Sequence, residues 1–140
     1  MYYYNEFKSL GTDYHNLEEI RIYDERMNTI RNIKKEIEDA LKLIDIKKED
    51  TLIEIGCGTG EFCIEAAKRC KKVIALDVSK NMLEYAKNKA IKRGVINISF
   101  INSGFLSYKH ECEQVDCVVS NIALHHLSDF WKLIALRNIN

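Results

Sequence analysis

From about Asp24 to Ile44 the apolar side chains Met27, Ile30, Ile33, Ile37, Leu41 and Ile44 recur at three- and four-residue steps. That spacing predicts one amphipathic helix with a single buried stripe. The polar string Lys47 to Asp50 ends it, and residues 1–20, aromatic and polar, carry no clear period. From Thr51 short apolar runs alternate with helical patterns. Leu52 to Ile55 reads as a strand, and after a glycine-rich turn a helix runs through Phe62, Ala66, Ala67 and Cys70. Val73 to Leu76 is a second strand, ending at Asp77. Ser79 then caps a helix whose Met82, Leu83, Ala86 and Ala90 face inward, and Lys92-Arg93-Gly94 stops it. Ile98 to Ile101 and Val115 to Ser120 are the third and fourth strands, and Asp129 to Asn138 is a last helix. This order predicts an α/β fold with a mostly parallel sheet and right-handed crossovers. Ligands of such sheets sit beyond the carboxyl ends of the strands, where strand order reverses.

Composition narrows the function classes. With 140 residues, 46% of them hydrophobic and 30% charged, the chain has the size and balance of one globular domain. Twenty-one basic and 21 acidic side chains cancel, which argues against a nucleic-acid partner held by phosphate contacts. No apolar run approaches the roughly 18 residues of a membrane span, and MYYYNEFKSLG at the start carries no signal-peptide core. A cytoplasmic chain without a membrane partner is expected. The cysteines, Cys57, Cys63, Cys70, Cys112 and Cys117, are odd in number and form no C-x-x-C pair. Reduced, mostly buried thiols and no metal site are expected.

The candidate chemistry starts at LIEIGCGTG, Leu52 to Gly60, with three glycines at alternate positions between strand and helix. Glycine there admits positive φ and lets a ligand lie against the backbone. A dinucleotide fold needs G-x-G-x-x-G so that pyrophosphate rests on the helix N-terminus. Here the third glycine comes one residue early and Glu61 follows it. A carboxylate at that point repels a pyrophosphate but not a cationic sulfonium, so the spacing favours a methyl donor over NAD.

The string Glu54-Ile55-Gly56-Cys57-Gly58-Thr59-Gly60 resembles motif I of class I S-adenosylmethionine-dependent methyltransferases of the small-molecule type. Val73 to Ser79, followed by Met82-Leu83, resembles motif II, and Val115 to Asn121 with Leu124-His125-His126-Leu127 resembles the fourth strand and its loop. The resemblance spans roughly Thr51 to Ile139. It implies a Rossmann-like three-layer α/β/α fold and S-adenosyl-L-methionine as cofactor. It also implies that Gly56, Cys57, Gly58 and Gly60 cradle the methionine part, with Glu54 holding its amino-acid end. Asp77 would accept hydrogen bonds from both ribose hydroxyls, as two carboxylate oxygens allow. The plainer alternative makes it a charge stabilising the start of the next helix. In the resemblance Val78 and Met82 flank the adenine. Many relatives place an acidic residue after the third strand to meet the adenine amino group, but here that position is Gly104 in Asn102-Ser103-Gly104-Phe105. The contact would then pass to the backbone near Phe105 or to the side chains of Ser103 or Asn102.

Methyl transfer is an in-line displacement helped by positioning and water exclusion, and a base is needed only when the acceptor loses a proton. Asn121, His125 and His126 stand beyond the fourth strand, where acceptors bind in this family. Ile122 and Ala123 follow Asn121, unlike the Asn-Pro-Pro-Tyr motif of nucleobase-amino methyltransferases. Either histidine can serve as general base; alternatively one caps the loop and the other faces solvent. The aromatic residues Tyr2, Tyr3, Tyr4, Phe7, Tyr14 and Tyr23 form a lid over the sulfonium or simply pack a covering helix. The expected organisation is a helical cover over residues 1–50 and the cofactor-binding domain over residues 51–140, with only the first four of the usual seven strands. Two functions follow: an S-adenosylmethionine-dependent methyltransferase acting on a small molecule, or a truncated cofactor-binding module without turnover. An open fourth-strand edge invites homo-oligomers.

Overall fold

A computed structural model describes residues 4–8, 16–111 and 114–139. Tyr2, Tyr3, Tyr14 and Cys112, singled out above, lie outside the described residues. Helix α1 spans Leu17–Ile30; the Asn16 side chain accepts from the Glu18 and Glu19 N–H groups, and those two glutamates oppose the helix dipole. Helix α2 spans Ile33–Ile44, and the Asn32 side chain caps it by accepting from Lys35 N. The single helix expected from Asp24 to Ile44 is therefore two. The apolar steps run unbroken through the junction, but Arg31 is extended, and the Asn32 cap competes with helix continuation.

Strand β1 (Thr51–Ile55), helix α3 (Glu61–Ala67), strand β2 (Lys72–Asp77), helix α4 (Lys80–Lys92) and strand β3 (Ile98–Asn102) follow, each close to its expected bounds. Strand β4 (Cys117–Val119), a 3₁₀ turn (Leu124–His126) and helix α5 (Asp129–Ile139) close the described chain. The four strands are parallel in the order β3-β2-β1-β4, with Ile53 beside both Ile74 and Val118. Strand order reverses between β1 and β4.

Alternation along the strands divides the core in two. Leu52, Val73 and Ala75 face Ile37 and Leu41 of α2, Ile64 of α3 and Leu83 of α4. Ile53, Ile55, Ile74 and Leu76 face Phe105, Leu127, Ala135 and the half-buried Trp131 and Tyr4. The architecture is thus the expected three-layer α/β/α fold, with α2 contributing to the core beside α3.

β4 is shorter than the expected Val115 to Ser120. Its polar flanks add side-chain bonds to β1: Asp116, whose N–H donates to Thr51 O at 3.0 Å, accepts from Thr51 N at Oδ2 at 2.8 Å, and Ser120 Oγ donates to Ile55 O at 3.0 Å. β4 is an edge strand, and Phe130, Leu133 and Leu136 of α5 are exposed. Among the described residues no helix is long and apolar enough to cross a membrane, no group of side chains could hold a metal ion, and Cys57, Cys63, Cys70 and Cys117 are free thiols.

Candidate functional site

The carboxyl ends of all four strands open into one cavity of about 240 Å³. At the end of β1 the chain turns sharply: Gly56 N and Cys57 N both donate to Leu76 O at the end of β2, at 2.8 and 2.9 Å. Asp77, buried, fastens the same turn from below, its Oδ2 accepting from Gly58 N and its Oδ1 from Ser79 N, each at 2.8 Å. Gly60 N donates to Cys57 O. The N–H groups of Gly56, Cys57, Gly58 and Gly60 are all engaged within the protein, so the turn is not a phosphate cradle of the P-loop kind. The charge of Glu61, by contrast, does not decide between ligands. Its carboxylate is matched by Lys89 at 2.8 Å and Arg93 at 2.9 Å, and although burial opposes ionisation, those cations hold its pKa below the usual value. A paired carboxylate repels little.

Gly56 and Gly58 serve different ends. At Gly56 (φ +80°) a Cβ would lie 2.3 Å from Ala123 Cβ, so the turn is pressed against the loop after β4. That loop is itself bent by Ile122 at φ +54°, a strained conformation for a β-branched residue. At Gly58 (φ +51°) a Cβ would meet nothing within 4 Å. Its open side belongs to the cavity. Gly60 does not line the cavity; it precedes α3 and abuts Ala86 of α4.

Glu54 lies at the cavity floor, 3% exposed, and its Oε2 has no hydrogen-bond partner among the described residues. Burial, reinforced by neighbouring Cys63 and Asp77, pushes its carboxyl well above the ordinary value. Cys57 is buried beside it, and its thiol is pushed up as well, chiefly by a hydrogen bond with Cys63. The folded chain therefore holds a proton on Glu54 that the unfolded chain has released above about pH 4.5. Stability from this group falls as pH rises from there toward the folded pKa. We expect the melting temperature of ligand-free wild type to fall relative to Glu54→Gln as pH rises above about 4.5. Parallel melting curves for the two proteins over that range would contradict it.

Other expected site residues separate into two groups. Val78, Ser103, Gly104, Phe105, Asn121 and His126 line the cavity; Met82 and His125 do not. Met82 is buried under α4 at 3% exposure. Two of the polar groups after β3 that were expected to reach a base have partners within the protein. Asn102 Nδ2 donates to Asp77 O and Val78 O at 2.9 Å, and Ser103 Oγ pairs with Ser107 Oγ. Burial, and then neighbouring His125, lowers the His126 pKa, which favours the neutral imidazole. The two rings stand 4.1 Å apart.

Sequence reasoning named Tyr4, Phe7 and Tyr23 as a cover but missed Glu6, Asp24, Met27 and Arg31 beside them. Tyr23, Asp24, Met27 and Arg31 of α1 and its end line the cavity, as do Tyr4, Glu6 and Phe7. Asp24 accepts from Thr59 Oγ1 at 2.5 Å and pairs with Lys89, tying α1 to the glycine turn and to α4. Tyr4 donates to His126 O at 3.2 Å and packs on Trp131. Nothing local in the sequence marks these partners, because each lies 35 or more residues away.

A doubly wound parallel sheet, a cavity at the strand-order switch, a glycine turn whose N–H groups are engaged and a buried carboxyl on the floor define an α/β domain shaped to bind a cofactor. A methyltransferase-domain family model matches residues 52–140, and the chain belongs to that family. It is 25% identical over 127 residues to demethylmenaquinone methyltransferase of Geobacillus sp. (strain WCH70), covering 86% of this chain and 54% of that protein. It is 30% identical over 105 residues to rRNA adenine N-6-methyltransferase of Limosilactobacillus reuteri, covering 75% of this chain and 42% of that protein. The chain thus spans about half the length of these relatives. Among solved structures it is similar to a SAM-dependent methyltransferase from Aquifex aeolicus, with a TM-score of 0.69 and 25% identity over 89% of this chain and 66% of that one. S-adenosylmethionine is the methyl donor of the family.

Proposed function

We propose that this chain binds S-adenosylmethionine in the cavity beyond β1 and β2 and transfers its methyl group to a small-molecule acceptor. The observation that carries the reading is Glu54, a buried carboxyl with an oxygen left unpartnered at the cavity floor. An uncompensated group of this kind costs stability unless a ligand satisfies it. A ligand with an ammonium and a sulfonium supplies the missing positive charge, and binding it lowers the Glu54 pKa again. Asp77 lines the same cavity, and a carboxylate, with two acceptor oxygens, suits a vicinal diol. Gly58, with no side chain, leaves the cavity open beside them. These residues fit the donor.

When bound, the donor supplies an electrophilic methyl carbon. The protein's part is to hold the acceptor in line with it and keep water out. α1 and residues 4–8 roof the cavity for the second task, and this roof is the cover role proposed for the N-terminal segment. His126, at the cavity wall and with burial favouring its neutral form, accepts a proton from acceptors that must lose one. His126→Ala is expected to leave affinity for S-adenosylhomocysteine within about three-fold while slowing transfer to such acceptors roughly 10²-fold or more. Lost affinity in calorimetry would make His126 structural.

The balance of 21 basic and 21 acidic residues supports a small acceptor over an RNA, although the relatives include an rRNA methyltransferase as well as a demethylmenaquinone methyltransferase. The test offers labelled S-adenosylmethionine with a panel of small thiols, amines, carboxylates and quinols, and with rRNA fragments. Label moving into a small molecule supports the reading; label entering RNA alone, or no transfer at all despite binding, contradicts it. Self-association through the exposed β4 edge and α5 belongs to the same proposal. Light scattering over a dilution series is expected to give a dimer or larger species, and a monomer at high micromolar concentration would contradict it.

A further inference from the structure

Glu6 sits in the short N-terminal segment, and its half-buried carboxylate is held about a hundred residues away in sequence. Oε1 accepts from Ser107 N at 2.7 Å and from Leu106 N at 3.2 Å; Oε2 accepts from Leu106 N at 3.1 Å. A Cβ built on Gly104 would lie 2.6 Å from Glu6 Oε2 and 2.9 Å from Val78 Cγ1. The carboxylate of Glu6 therefore fills the space that a side chain at position 104 would enter, and the glycine is what admits it.

An ionised carboxylate offers about four acceptor sites. With the Leu106 and Ser107 N–H groups on it, Oε1 is saturated, whereas Oε2 shares only the Leu106 N–H and keeps acceptor capacity on its Gly104 side. Glu6, Val78, Gly104 and Phe105 all line the cavity, so this oxygen stands at the cavity wall beyond the apolar Val78 and Phe105. After β3 the Asn102 Nδ2 bonds the backbone at the end of β2 and the Ser103 hydroxyl pairs with Ser107 Oγ.

We propose that Glu6 reads the base of the bound nucleoside, accepting a hydrogen bond from its exocyclic amino group. The inference rests on the cofactor reading above. An ionised carboxylate accepts and cannot donate, so it favours an amino edge and disfavours a carbonyl edge. The N-terminal segment then both roofs the cavity and sets the identity of the base.

The test is calorimetric titration with S-adenosylhomocysteine and with its 6-oxo counterpart, S-inosylhomocysteine, in wild type, Glu6→Gln and Tyr4→Phe. Wild type is expected to prefer the amino form by roughly 10- to 100-fold, the worth of one hydrogen bond to a charged group. In Glu6→Gln, whose amide both donates and accepts, that preference shrinks to a few-fold. Tyr4→Phe loosens the segment by removing its bond to His126 O, so it weakens both ligands in parallel and keeps the preference. Equal binding of the two ligands by wild type overturns the Glu6 assignment alone, as does an unchanged preference in Glu6→Gln, which would make Glu6 only a latch. Failure of wild type to bind either ligand overturns the cofactor reading and this assignment together.

Discussion

Gly58→Val is expected to leave a folded chain that no longer binds S-adenosylhomocysteine. A Cβ at Gly58 meets no protein atom within 4 Å, so the new side chain projects into the cavity without a clash. The backbone cost is the left-handed conformation at φ +51°, on the order of 1–2 kcal/mol for a side-chain-bearing residue. A cooperative melt with a modestly lower midpoint should therefore survive, while the ligand's place against the turn is filled. Gly56→Val is the contrasting control. Its Cβ would stand 2.3 Å from Ala123 Cβ, in a contact that must distort the turn and the loop after β4 together, and it is expected to damage folding itself. Circular dichroism melts and calorimetry on the two variants separate these outcomes. Normal binding by Gly58→Val would remove the turn from the site.

The second large effect is at Asp77. Its carboxylate is the acceptor for Gly58 N and Ser79 N, so Asp77→Ala leaves two N–H groups at the turn and at the start of α4 without that partner. Each unsatisfied buried donor costs about 1–3 kcal/mol, and the melting temperature should drop by several degrees or more. Binding should weaken by a further 1.5–3 kcal/mol or so if the same oxygens also accept from ribose hydroxyls. Asp77→Asn, which keeps one acceptor oxygen, should recover much of the stability and little of the binding. An Asp77→Asn chain that is destabilised yet binds normally would leave Asp77 as a strut of the turn and nothing more. The two alternatives raised by the sequence, ribose acceptor and helix-start charge, are thus not exclusive: Oδ1 already bonds the backbone that leads into α4.

Where the sequence was legible, the signal was local. Leu52 to Ile55, the glycine turn, Val73 to Asp77 and the Ser79 cap each declare themselves within ten residues, because strand period, turn chemistry and capping are short-range physics. The same locality hid the rest. The break at Asn32 leaves the apolar steps intact, since steps of three and then four residues keep Ile30, Ile33 and Ile37 in phase. Glu61 read as a bare acid because Lys89 and Arg93, which neutralise it, follow 28 and 32 residues later. Asp24 and Glu6 carried no motif at all; only the packing of α1 on α4 and the vacancy at Gly104 give them partners. Met82 follows its helical spacing, which faces it inward, rather than the resemblance, which set it beside the adenine.

The most direct measurement of the central claim is a calorimetric titration of the purified chain with S-adenosylhomocysteine, run beside an identical titration with NAD. Saturable one-to-one binding of S-adenosylhomocysteine and no heat of binding with NAD is the result expected of a turn whose N–H groups are engaged and whose floor is acidic. Comparable binding of NAD, or none of S-adenosylhomocysteine, would contradict the account.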